Sequence, residues 1–262
     1  MSQNIQLPQT LPSERRAPSL LTQFLDVFLI ELTNWRWSWR SLITLGMISP
    51  LLSITALGTF ARDSGSLSLS YVLVGNIVLA VLFNNMNNVN GHVFFMREHG
   101  TLDYFATLPI RRYILILAIL AAFLLLSLPS LLVTIIGGTL ILGVHLQISP
   151  LLLIVLPLCT LPFSAIGALI GARMRTPETA NAFSYILTLV LLALGPVVIP
   201  PDHLPPFMIF IGRFSPATYA ASALRQVLLG PITNQLLIDI GVMAGLTVIA
   251  FWFVNRKLDW SV

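Results

Sequence analysis

Arg97–Glu98–His99–Gly100–Thr101–Leu102–Asp103–Tyr104–Phe105–Ala106–Thr107–Leu108–Pro109–Ile110–Arg111–Arg112 is a charged, aromatic-bearing island between two long apolar runs. Its surroundings decide the fold class. Of 262 residues, 56% are hydrophobic and 9% charged, with a mean hydropathy of +0.88, a balance foreign to a water-soluble domain. The island is therefore expected to be a cytoplasmic loop at a membrane surface.

Working outward, a hydrocarbon core of roughly 30 Å needs about 20 predominantly apolar residues in a helix. Six runs meet that requirement, at 41–60, 69–90, 113–142, 150–172, 179–199 and 236–254. Lipid offers no partner for backbone amides, and these runs are continuous where a β-barrel would show short alternating segments. The fold expected is an all-α integral membrane protein forming one domain over 20–262. The third run holds Pro129, Gly137 and Gly138, which predicts tilt or a kink.

Orientation follows from the basic residues. Six spans with both termini on one side gather Arg15, Arg16, Arg36, Arg40, Arg97, Arg111, Arg112, Arg173, Arg175, Arg256 and Lys257 there, leaving Arg62, Arg213 and Arg225 opposite. Positive charge favours the cytoplasmic face, so the N- and C-termini are expected inside, in a plasma (inner) membrane. These residues are scattered over separate loops, so the basic balance reads as topology and not as nucleic-acid binding.

Residues 1–19, with Pro8, Pro12 and Pro18 and no apolar run, read as a disordered cytoplasmic tail. The next stretch, 20–39, is apolar at Leu21, Phe24, Leu25, Phe28 and Leu32 but broken by Asp26, Glu31 and Arg36. It reads as an interfacial amphipathic helix on the inner leaflet, with Trp35, Trp37 and Trp39 at headgroup depth.

Several chemistries drop out. A lone Cys159 and four dispersed histidines, His92, His99, His145 and His203, make neither a disulfide framework nor a zinc set. No Gly-x-Ser-x-Gly elbow occurs. Lys257 is the only lysine and has no phosphate-binding loop around it, so ATP-driven work would fall to a partner. Asp239 is the single acidic residue within the six runs and reads as interfacial at the outer end of the last one. Its isolation argues against the alternative of an ion-coupled carrier or channel, which needs ionisable groups deep in the membrane.

Two polar or small-residue features remain. Asn84, Asn85, Asn87, Asn88 and Asn90 fall within two helical turns, suited either to interhelical hydrogen bonds or to substrate contact. Gly167 with Gly171, and Gly241 with Gly245, form Gly-x-x-x-Gly pairs, both read as sites of close packing within the chain.

The island and its flanks resemble the Glu-x-Gly-Thr-Leu loop, closed by Pro and Arg, of the type-2 ATP-binding-cassette exporter permeases, the family of drug, lipo-oligosaccharide and polysaccharide exporters. A second similarity lies in Pro200–Pro201–Asp202–His203–Leu204–Pro205 and in Ser215–Pro216–Ala217–Thr218–Tyr219 followed by Leu224–Arg225. Ser215 stands where the family usually has Asn, and Leu194–Gly195–Pro196 where it often has Ser-Gly.

The resemblance implies a transport subunit without catalytic, metal or cofactor residues of its own. Its partners would be a nucleotide-binding ATPase subunit carrying ATP and Mg, a second permease copy (identical or not) and membrane lipids. It also implies that 91–112 holds the coupling helix, with Glu98, Gly100, Thr101, Leu102, Tyr104, Phe105 and Pro109 as the coupling residues. The residues themselves agree: Gly100 permits a turn, the apolar side chains offer anchors for a partner's groove, and Pro109 ends the segment. Arg173–Met174–Arg175–Thr176–Pro177–Glu178 is either a second inner contact or a plain charged turn. An outer re-entrant helical hairpin is expected before the last span, with Pro216, Tyr219 and Arg225 as its gate residues.

Overall fold

Apolar runs of this length can satisfy their backbone in lipid only as helices, and every regular element among the described residues is helical. The computed structural model describes residues 19–34, 39–62 and 65–257, with the backbone alone for 39–45 and 257. The tail expected over 1–19 and the headgroup tryptophans Trp35 and Trp37 therefore lie outside the described residues, apart from Ser19.

A short helix α1 (Leu20–Asn34) precedes α2 (Trp39–Ala61). Next comes one continuous 33-residue helix, Ser66–Glu98, built of α3 (Ser66–Val81), a π-helical turn (Leu82–Asn87) and α4 (Asn88–Glu98). Helix α5 (Thr101–Thr107) lies between it and α6 (Arg112–Leu142); α7 (Leu152–Arg173) and α8 (Pro177–Ala193) follow. A 3₁₀ turn at Pro201–His203, α9 (Pro206–Gly212) and α10 (Pro216–Leu229) lead to α11 (Gln235–Lys257).

Among the described residues four helices are long and apolar enough to cross a membrane: Ser66–Glu98, Arg112–Leu142, Leu152–Arg173 and Gln235–Arg256. Gly46–Ala61 of α2 is a shorter apolar helix. Helix α8 has 17 residues, about 25 Å at 1.5 Å per residue, and ends before the expected 199. Gly195 at φ +100 breaks it, with Pro196 following. The second run, by contrast, continues as helix through 91–98, so the loop proper starts at His99 and not at residue 91.

The distribution of polarity is that of a protein dissolved in lipid. Leu140 (79% exposed), Leu153 (81%) and Val248 (69%) point outward, while Asn84, Ser130, Thr134, Ser164, Thr188 and Asp239 are buried. A soluble protein sorts these residue types the other way. Buried hydroxyls return to their own helix, as Thr134 Oγ1 does by donating to Ser130 O at 2.8 Å.

Helix α7 is the hub, packed against α4, the π-turn, α10 and α11. Its Gly-x-x-x-Gly pair explains the intimacy: a Cβ on Gly167 would lie 2.2 Å from Met86 O, and one on Gly171 2.3 Å from Asn90 O. Only hydrogen fits between these backbones. The second pair behaves otherwise. Nothing lies within 4 Å of a Cβ placed on Gly241 or Gly245, which corrects the expectation of intrachain packing there. Along α6, Gly138 admits Leu73 and Ile54, a Cβ there falling 2.6 Å from Leu73 Cδ1.

Candidate functional site

The loop at 97–112 is built from a tight reversal. After Glu98 and His99 the chain turns at Gly100, in the left-handed region at φ +67, where a side chain would be strained. Helix α5 then lies with Leu102 and Phe105 inward, 8% and 4% exposed, in a cluster with Val93, Met96, Leu115, Ile119 and Val254. Asp103, Tyr104, Ala106 and Thr107 face out, Tyr104 at 63%. Thr101 is half-buried and Pro109 is exposed just beyond the helix.

This divides the coupling residues read from the sequence. Leu102 and Phe105, expected as anchors for a partner, instead fasten α5 to its own chain. The reason is register: positions three apart share a helix face, and that face meets α6 and α4. Glu98 and Tyr104 remain on the outer surface.

Three contacts that the sequence reading missed brace this loop. Arg97 donates through both guanidinium nitrogens Nη1 and Nη2 to Ala172 O and Met174 O, capping the C-terminal end of α7, and its charge sits 5.1 Å from the Phe94 ring centroid. Arg111 N donates to Gln23 Oε1 at 3.2 Å, tying the far end of the loop to α1. Glu31 and His92 pair at 2.8 Å, with Glu31 fully buried. The signal was present: Gln23, Val27 and Glu31 recur every four residues, and they form the buried stripe of α1. Leu21, Leu25 and Leu29 face outward instead, so α1 turns its polar stripe toward protein.

The charged segment at 173–178 starts α8 with a capping box. Thr176 Oγ1 accepts from Thr179 N at 3.3 Å, and Thr179 Oγ1 accepts from Thr176 N at 3.4 Å. Arg173, Arg175 and Glu178 around it are exposed.

At the opposite end α9 and α10 are joined by the short connection Arg213–Ser215. Pro216 opens α10, where its missing N–H has no cost. Tyr219 Oη donates to Arg213 O at 2.6 Å, tying α10 to the connection before it. Gly195 meets Gly212 so closely that a Cβ on Gly212 would lie 2.5 Å from Gly195 Cα, which gives the Leu-Gly-Pro departure a packing role. The guanidinium of Arg225 stacks 3.5 Å above the Tyr71 ring centroid and donates to Pro196 O at 3.5 Å.

Asp239, near the start of α11, does not face outward. It is fully buried and accepts from Gln226 Nε2 at 3.2 Å and Gln235 Nε2 at 3.1 Å, joining α10 to α11. Amides from the α6–α7 connection, Gln147 N and Ser149 N, donate to Leu228 O and Val227 O at 2.8 and 2.9 Å, satisfying the end of α10. Pro216, Tyr219 and Arg225 thus belong to one fastened unit around α10.

The asparagine cluster coincides with the π-turn. Asn84 and Asn85 donate to the carbonyls four residues back, Ala80 O at 2.9 Å and Val81 O at 3.2 Å, competing with the regular ladder where the helix widens. Asn84 Nδ2 also reaches Ser130 Oγ at 3.1 Å, and Asn90 Nδ2 reaches Asn181 Oδ1 at 3.5 Å. Interhelical bonding accounts for these two. Among the described residues no three His, Cys, Asp or Glu side chains gather as a metal site.

Compared with known proteins, the chain matches the family model described as ABC-2 type transporter over residues 22–229, from within α1 to the end of α10. No curated protein matches it.

Proposed function

The chain belongs to the ABC-2 type transporter family; it is a multi-pass membrane permease of an ABC transporter, and on that premise we propose that it works as an exporter driven by a separate ATPase subunit. The observation that carries this is α5, a short helix whose outward face of Asp103, Tyr104 and Thr107 lies after the exposed Glu98 at the end of α4 and whose inward face is locked into the transmembrane helices. A seated partner pushes on the first face. The second face delivers the push, because Leu102 and Phe105 share a packed cluster with residues of α1, α4, α6, α7 and α11. Packed interiors transmit displacement instead of absorbing it.

In this reading ATP and Mg belong to the partner, and two permease copies flank the substrate path. Nucleotide binding favours one of two arrangements of the pair through its differential contacts with each. Six spans, with α2 and α8 completing the four long helices, put the termini and α5 in the cytoplasm of a cell with the permease in its inner membrane. The outer hairpin α9–α10 closes the far mouth. The test is co-purification of the ATPase with the permease and transport-linked ATP hydrolysis in vesicles. Full retention of both by a Glu98→Ala/Tyr104→Ala variant would remove α5 from the coupling role.

A further inference from the structure

One carboxylate of α1 is buried with part of its bonding capacity unused. Glu31 is fully buried; its Oε2 lies 2.8 Å from His92 Nε2, but Oε1, also buried, has no hydrogen-bond partner among the described residues. An ionised carboxylate accepts at about four sites, and a bare oxygen in the interior is strongly destabilising. If this position served only to pack α1 on α4, an apolar residue of similar size would do so better. The same place is hollow. Beside the pair, Asn34 of α1, Gly91, Phe95 and Met96 of α4, and Thr101 at the start of α5 line a cavity of about 670 Å³, within the size range of small-molecule sites.

Gly91 keeps the hollow open. A glycine inside a helix weakens it relative to Ala, and at Gly167 and Gly171 close backbone contact explains the choice. At Gly91 a Cβ would meet nothing within 4 Å, so the missing side chain leaves room on the cavity wall instead of admitting a neighbouring helix.

The lining selects charge and donors. Among the described residues bordering the cavity, Glu31 carries the one fixed charge, and a neutral imidazole can donate to it and leave that charge uncancelled. An anion would be repelled there, whereas a cation would find a counter-charge on leaving water. A primary ammonium has three N–H donors, matched by Glu31 Oε1, the Asn34 amide oxygen and the Thr101 hydroxyl as acceptors. Phe95, 56% exposed, carries an apolar wall from the cavity to the surface, which suits an apolar body behind the nitrogen.

From this arrangement we infer that the cavity between α1 and α4 binds a primary ammonium on an apolar body, its nitrogen on Glu31 Oε1 and its body along Phe95. Such a ligand ties α1 to Thr101, the first residue of α5. An amine-bearing lipid headgroup and a free amphiphilic amine share this chemistry.

The experiment uses the full-length permease alone in phosphatidylcholine nanodiscs. Octylamine carrying a diazirine on its chain is photolysed beside octanol bearing the same diazirine, and labelled peptides are mapped by mass spectrometry. The amine is expected to label the peptides around Glu31 and Phe95, with competition by unlabelled octylamine, and to raise the thermal midpoint; the alcohol is expected to do neither. Glu31→Gln is expected to lower apparent affinity about tenfold or more. Gly91→Leu fills the cavity and leaves the Glu31–His92 pair in place. It is expected to abolish the labelling while the ligand-free midpoint holds or rises, which decides the matter should Glu31→Gln misfold. In nanodiscs containing phosphatidylethanolamine, protection from the probe makes the lipid headgroup the source, and unchanged labelling makes it a free amine; both sustain the site.

Equal labelling by the alcohol, wild-type labelling in Gly91→Leu, or wild-type affinity in folded Glu31→Gln would overturn the inference. Because no ATPase is present, failure here leaves the exporter reading intact, and loss of ATPase association in the α5 variants leaves this site intact.

Discussion

Opposite faces of one short helix should fail in opposite ways. Leu102 and Phe105 are 8% and 4% exposed inside the chain, whereas Tyr104 between them is 63% exposed. Truncating a buried Leu to Ala costs about 2–5 kcal/mol, and a buried Phe about 3–5 kcal/mol. The two side chains share one cluster, so the double variant Leu102→Ala/Phe105→Ala falls short of the simple sum, at about 5 kcal/mol or more. Against a domain stability of about 5–15 kcal/mol that is a severe loss. Tyr104→Ala removes nothing from the core. As an anchor in a partner's groove it should cost about 2 kcal/mol of association, close to 30-fold in Kd. The assay pairs thermal unfolding of the purified permease, followed by size-exclusion chromatography, with titration of the ATPase onto folded permease. An unshifted unfolding midpoint in the double variant, or a lowered one in Tyr104→Ala with ATPase affinity intact, would refute the inward and outward assignment.

Gly171→Ala sets a Cβ 2.3 Å from Asn90 O and should destabilise by about 1–3 kcal/mol, whereas Gly245→Ala, which meets nothing within 4 Å, should leave the monomer's midpoint unchanged; thermal unfolding separates them. Cysteines at Ser66 and His203 should react with an impermeant maleimide on intact cells, and one at Thr107 only after permeabilisation; outside labelling at Thr107 would invert the topology. Tyr219→Phe deletes the 2.6 Å bond to Arg213 O and should cost about 0.5–1.5 kcal/mol, altering export measured in vesicles while the ATPase complex still assembles.

Much of this protein was legible without coordinates, because hydropathy is a local and additive property. Membrane class, helical form and the island at 97–112 all follow from counting apolar residues and locating charge. Gly100, Pro109 and Pro216 marked turns and helix starts through their own backbone constraints, which no neighbour has to supply. The family motif could be matched on the same linear footing.

Facing could not be read that way. Lipid and protein interior are both apolar, so a leucine looking at one scores like a leucine looking at the other. Leu140 is 79% exposed and Leu131, nine residues earlier on the same helix, is 1% exposed, though their side chains are identical. The inward turn of Leu102 and Phe105, the polar stripe of α1 facing Glu31 onto His92, the burial of Asp239, and the contrast between Gly167–Gly171 and Gly241–Gly245 were all decided by which helix lies alongside. The unpaired carboxylate oxygen of Glu31 belongs with them: its residue type is visible in the chain, but the lack of a partner exists only once every neighbouring donor and acceptor has a position.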